Sequence, residues 1–261
     1  MDVNDRCEER RMLASACRRR SELRLVLIGL LMVPAQAYAQ ARASMVASEI
    51  LGRILHDNGQ FVAKHDKTHF DPFREVQRPR VTLLTCSDSR LHTTVVASSP
   101  DGEIYMVRNL GNQVDHAEGS LSYGIRHLHT PLLLILGHVG CDAVKEAMGD
   151  YSDEPSSVRR ELDGLHLSIL TTHAQGSPED QLLANIAGNV HQQVANAMKE
   201  FQAQIESGAL TVIGAVYDFR DEYGQGPGRL VVVNINGEKD PVKVSSSPIL
   251  KVAKARANVE E

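Results

Sequence analysis

Cys86-Ser87-Asp88-Ser89-Arg90 is followed 48 positions later by His138-Val139-Gly140-Cys141. Two thiols, an imidazole and a carboxylate thus stand just beyond two apolar, strand-like runs. Thiolate sulfur and imidazole nitrogen are the donors zinc prefers, and a catalytic zinc keeps three protein ligands and one open position. Cys86, His138 and Cys141 supply three, so water can take the fourth. Two thiolates and a neutral imidazole cancel the ion's charge. Water there is expected to ionise above the ~7 typical of a three-histidine site, with activity rising toward alkaline pH. Asp88 and Arg90 lie two apart and, in an extended segment, project the same way. The carboxylate can then accept a hydrogen bond from that water, while Arg90 keeps it ionised and off the metal. Unpaired, Asp88 could swing in as a fourth ligand and close the site. Two plainer readings stand beside these. Asp88 could simply cap a helix starting near Leu91, and the thiols could form a disulfide. A structural disulfide, however, has no use for His138 three residues before Cys141.

The elements that must position these residues alternate in type. Val81–Thr85, Glu103–Val107, Leu132–Leu136, Leu210–Tyr217 and Arg229–Val233 are short apolar runs. Such runs between helical stretches predict strands buried on both faces. Helices are expected at Met45–Lys64 (interrupted at Asn58-Gly59), Leu91–Ala97, Ala117–Leu128, Cys141–Met148 and Pro178–Ile205. Gly149–Ser157 reads as an exposed connection, and Asp221–Gly228 as a loop able to join an antiparallel pair. The predicted fold class is α/β: a central, mainly parallel β-sheet with helices on both faces and an N-terminal helical arm. Ligand sites in such sheets gather at the carboxyl ends of strands. Cys86 and His138 both follow strands, so neighbouring strands would bring the two motifs into one crevice. Gly137-His138-Val139-Gly140 lacks the third glycine and acidic partner of a dinucleotide loop. The other histidines, including His92 and His116 as conceivable proton relays, show no ligand spacing.

Residues 1–39 read as an export signal. Arg18-Arg19-Arg20 and Arg24 precede the apolar run Leu25–Val33, Pro34 breaks it, and Ala37-Tyr38-Ala39 supplies a small-x-small cleavage pattern. The run is too short to span a bilayer, which needs about 20 residues, so no stable membrane anchor is expected after cleavage near Ala39/Gln40. A start at Met12 would give the signal an ordinary length. The paired arginines hint at twin-arginine export, against which Glu22 occupies a position that pattern wants apolar. The expected location is therefore periplasmic or secreted. Cys7 and Cys17 leave with the signal, so Cys86 and Cys141 are the only thiols of residues 40–261, which suit a single domain. Without the 7 basic and 5 acidic residues of 1–39, the chain carries 21 basic against 28 acidic, a net −7. That balance disfavours nucleic acid as a partner, because such affinity rests largely on neutralising phosphates.

At these motifs the chain resembles the β-class carbonic anhydrases. Ile54–Val62 is similar to the family's N-terminal helix segment, Cys86–Arg90 to its signature, and Val107-Arg108-Asn109-Leu110-Gly111-Asn112 to its Arg-Asn-Ala-Gly-Asn segment. His138-x-x-Cys141 and Gly214–Asp218 follow in the family's order. The resemblance implies reversible hydration of carbon dioxide to bicarbonate and a proton, by hydroxide formed on Zn²⁺. It also implies that Cys86, His138 and Cys141 bind the metal, with Asp88 joining them only in a closed state, and that Asp88 and Arg90 form the catalytic dyad. Homo-oligomers, dimers or larger, with N-terminal helices embracing a neighbour, are implied as well. The chain departs from the family at Asp142, usually glycine, and at Leu110, usually alanine. The absence of tryptophan removes the tryptophan-containing inhibitory bicarbonate pocket of some members. Two other functions stay open on sequence: a related hydrolase of carbon disulfide or carbonyl sulfide, and a zinc-binding assembly protein with little turnover, motivated by Asp142 and Leu110.

Overall fold

Five apolar runs become five strands: β1 (Val81–Cys86), β2 (Ile104–Asn109), β3 (Leu132–His138), β4 (Thr211–Asp218) and β5 (Arg229–Ile235). They form one sheet in the order β2-β1-β3-β4-β5, parallel except for the antiparallel edge pair β4–β5. The computed structural model describes residues 35–257. The basic and apolar parts of the predicted export signal therefore lie outside the described residues. Two compact units are distinguishable, one ending at Phe70 and one beginning at Asp71.

Side chains in the sheet alternate between two cores, as the two-residue period of a strand requires. Leu83, Leu134, Leu136 and Ala215 join one core with Val144, Leu162, Leu165, Ile186 and Val190. Leu84, Leu133, Ile135 and Val212 join the other with Leu121, Ile125, Val194, Ala197 and Phe201. Helices thus cover both faces, so β1 is buried along its whole length. The long helix Pro178–Glu200 contributes to both cores. Its start is secured by Ser177, whose hydroxyl accepts from Asp180 N while Asp180 answers back to the Ser177 amide.

The helix expected at Met45–Lys64 begins earlier, at Ala35, and runs unbroken through Asn58-Gly59. Leu91–Ala97 is a correction: only a single 3₁₀ turn forms there, at Thr93–Val95. Thr93, Thr94, Val95 and Val96 are all β-branched, which makes a regular helix unfavourable. The helix Ser156–Thr172 was not anticipated, although Val158, Leu162, Leu165 and Ile169 recur at helical spacing and pack on the first core. Two further helices close the chain, Pro241–Ser246 and Pro248–Ala257. Asp240 caps the first of them by accepting from Val242 N and Lys243 N.

Candidate metal centre

β1 is the strand from which the chain first turns one way, to β2, and then returns on the other side as β3. In open α/β sheets the crevice at such a switch point, beyond the strands' carboxyl ends, is where ligands bind. Thr85 pairs with Leu136 across β1 and β3, which brings Cys86 level with Gly137, one residue before His138, at that edge. Cys141 follows on the turn leaving β3. Val139 N is held by Tyr217 O at 3.1 Å, and Cys141 begins the helix Asp142–Ala147, accepting from Lys145 N at 3.0 Å. Gly140 makes that turn possible. Its φ is +60°, and a Cβ there would meet the Arg220 guanidinium at 2.5 Å.

The three predicted ligands converge. Sγ of Cys86, a ring nitrogen of His138 and Sγ of Cys141 lie within 4.8 Å of one another, and all three residues are buried. Among the described residues no second such group of ligands occurs. The thiols are free, so the disulfide reading does not hold.

Two observations test whether a divalent cation fits. His138 Nδ1 lies 3.0 Å from Val139 O. A carbonyl can only accept, so Nδ1 carries the proton and Nε2 presents a lone pair. That Nε2 is buried and has no hydrogen-bond partner. An orphaned buried nitrogen costs about 1–3 kcal/mol, a cost that a metal ion removes. The second observation concerns the sulfurs. The Cys141 thiol donates to Cys86 and, against the opposing effect of burial, draws the Cys86 pKa down; the backbone amides of Gly111 and Asp88 help. Cys141 is pushed up by that same bond to Cys86, then by burial and by the Cys86 charge. Without a cation the pair therefore shares one proton, and a bound cation would let both ionise. The donor set fits a soft divalent metal.

Asp88 sits at the rim of this group, its side chain 11% exposed. Its Oδ1 accepts from Arg90 N at 2.9 Å and Arg90 Nε at 2.8 Å, and its Oδ2 from Arg90 Nη2 at 2.5 Å. That two-pronged pairing, opposed by partial burial, holds the carboxyl well below the usual carboxylate range. Oδ2 is also 3.8 Å from His138 Nε2. Asp88 is thus next to the ligand group yet turned onto Arg90, the arrangement expected of an open site. Arg90 is held in turn: Nη2 donates to Gly140 O at 3.0 Å, and its guanidinium lies over the Phe219 ring, 5.2 Å from the centroid.

The departure at Asp142 points outward. Its side chain is 83% exposed, and Oδ2 is 3.4 Å from Arg90 Nη2, so it adds to the Arg90 clamp rather than filling the ligand pocket. Leu110 packs, partly buried, against the first core. His92 is occupied by Thr94, and His116 does not join the ligand group.

Two contributors were not assigned from sequence. Arg108 donates from Nε to Cys86 O at 3.0 Å and from Nη2 to Asp88 O at 2.6 Å, tying down the loop between ligand and dyad. Its position just before the strand end that pairs with Cys86 was the available signal. Phe219 follows β4 and had none. Its loop is fastened by the buried Asp218 carboxylate, which accepts from Arg220 N, Glu222 N and Tyr223 N at 3.2, 3.0 and 2.8 Å.

Known proteins share this plan. The family model described as carbonic anhydrase matches residues 81–225, more than half of the chain. "Carbonic anhydrase 2" of Mycobacterium tuberculosis is 29% identical over 153 residues, covering 56% of this chain and 72% of the relative. The fold is shared with the Coccomyxa β-carbonic anhydrase solved with acetazolamide, at a TM-score of 0.60 and 22% identity, covering 81% of this chain and 97% of that one. It is likewise shared with tetrameric β-carbonic anhydrases from Sordaria macrospora, at a TM-score of 0.56 and 20% identity, covering 76% and 98%. With both halves of the family's metal motif meeting at the switch point of the family's sheet, the chain belongs to the β-carbonic anhydrases, a family of enzymes.

Proposed function

We propose that the protein catalyses the reversible hydration of carbon dioxide to bicarbonate and a proton, with Zn²⁺ held by Cys86, His138 and Cys141. The observation that carries this reading is Asp88. Its carboxylate is ionised, clamped by Arg90 and set 3.8 Å from the unpartnered His138 Nε2. Zinc, when bound, would lower the pKa of water in its open position and polarise the attacking oxygen. Asp88 Oδ2 then accepts a hydrogen bond from the reacting water and aims its oxygen at the carbon. Arg90 keeps Asp88 ionised and away from the metal, Arg108 fixes the backbone carrying both, and Phe219 covers one face of the Arg90 guanidinium. Asp88 as a fourth ligand belongs to a closed state in which Arg90 has released it.

A homo-oligomer is part of the proposal. Met45, Ile50, Leu51, Ile54, Leu55 and Val62 are between 53% and 73% exposed on the helix Ala35–Lys64. A second copy would bury that face, and the Sordaria macrospora enzymes are tetrameric. Export through the 1–39 signal to the periplasm or medium is proposed from the sequence pattern. No described helix is long and apolar enough to cross a membrane.

The test separates the dyad from the ligands. Asp88→Asn should lower the hydration rate by about 10²-fold or more while zinc content stays unchanged. A variant with unaltered rate would remove the dyad from the mechanism.

A further inference from the structure

Between the edge strand β5, the helix Pro178–Glu200 and the two C-terminal helices lies a cavity of about 450 Å³ that shares no lining residue with the metal centre. Its size is that of a small-molecule pocket. The walls are largely apolar, Val232 and Val244 among them, and no aspartate or glutamate lines it.

Its polar lining is rich in donors: Tyr223, His191, Lys239 and Lys254 stand beside the neutral Gln225 and Ser245. The Tyr223 hydroxyl is buried and has no hydrogen-bond partner. Burial, then the charges of Asp218 and Glu222, push its pKa up to about 12, so it stays a donor at neutral pH. An unmatched buried donor costs about 1–3 kcal/mol, which an acceptor brought by a ligand would recover. His191 has Asn234 Nδ2 at 3.2 Å from its Nδ1. An amide NH₂ can only donate, so the ring proton resides on Nε2. Burial and then the Lys239 charge lower the His191 pKa, which keeps the ring neutral with an N–H to offer. Lys239 and Lys254 add two cations to the lining. Among the described residues neither forms an ion pair.

Two cations without counter-ions, two neutral donors and apolar walls are the complement of an anion with an apolar body. We propose that this cavity binds a small amphipathic monocarboxylate, its carboxylate met by Lys239, Lys254 and the unpaired donors, and its hydrocarbon laid against Val232 and Val244. A neutral ligand of the same shape would leave both lysines unmatched. A compact inorganic anion would leave the apolar walls uncovered.

Equilibrium dialysis of labelled hexanoate against the zinc-loaded full chain tests this. One hexanoate should bind per chain, with 1-hexanol at least about tenfold weaker because it brings no charge. The double variant Lys239→Glu/Lys254→Glu should weaken hexanoate by more than about tenfold, and Tyr223→Phe by about fivefold, the loss of one hydrogen bond. Zinc content and unfolding temperature of each variant check that it folds. Hexanoate binding that survives the double charge reversal, that 1-hexanol matches, or that disappears when only zinc is removed would overturn the proposal. So would the absence of binding up to about 10 mM, the limit of a weak specific site.

Discussion

In the metal centre Cys86, His138 and Cys141 are at most 3% exposed, whereas the large apolar side chains from Met45 to Val62 are 39–73% exposed. The strand ends bury their side chains within the unit that begins at Asp71, using helices from both faces of the sheet. The helix Ala35–Lys64 has equally apolar residues and leaves them uncovered. Fully burying a Leu or Ile side chain is worth about 1.5–3 kcal/mol, so a face of six or more such residues is a strong drive to associate. The centre's three ligands all come from one chain, while the arm's apolar face is the surface that the proposed homo-oligomer would bury. Chemistry and assembly are therefore separable by mutation.

The largest expected effect lies at the centre. Cys141→Ser should reduce zinc content to less than about a tenth, because a three-ligand site loses one of its two thiolates. Mass and secondary structure should hold, as the arm is untouched. Metal analysis showing full zinc in this variant would break the three-residue centre. Next comes the arm. Leu51→Glu combined with Leu55→Glu places charges on the uncovered face and should lower the particle mass by at least half in light scattering, with zinc per chain unchanged. An unchanged mass would show that this face is not the interface. The smallest effect is expected at Asp142→Gly. An exposed pair at 3.4 Å contributes about 0–1 kcal/mol, so kcat/KM should change by no more than about fivefold. A larger change would mean that the Arg90 clamp depends on its second carboxylate.

Much of the centre could be read before the fold was known, for a physical reason. Ligands beyond buried parallel strands must leave the sheet at its carboxyl edge, and Cys86 and His138 each follow an unbroken apolar run. Whether those runs were neighbours was not legible. Strand order depends on crossovers that carry no local signal, and here β1 and β3 adjoin only because β2 lies on the other side. Phe219 was invisible for the same reason: it reaches Arg90 from a strand two places across the sheet. The helix Ser156–Thr172 was legible and missed, since Arg159-Arg160-Glu161 and Asp163 interrupt its apolar stripe with charge. At Leu91–Ala97 the opposite occurred, and β-branched residues overrode an apolar pattern. Asp142 shows where sequence comparison misleads. A side chain in place of glycine beside a ligand suggests a blocked site, but the first turn of the helix Asp142–Ala147 directs it to solvent and toward Arg90.

The central claim is that these buried ligands and the clamped carboxylate form a working hydration catalyst. Stopped-flow measurement of carbon dioxide hydration, with zinc determined on the same sample, tests it most directly. The account predicts about one zinc per chain, as a single three-ligand centre requires, and turnover that rises from pH 7 to pH 9. Stoichiometric zinc with no turnover at about pH 8.5, where a water bound among two thiolates should be substantially ionised, would contradict it.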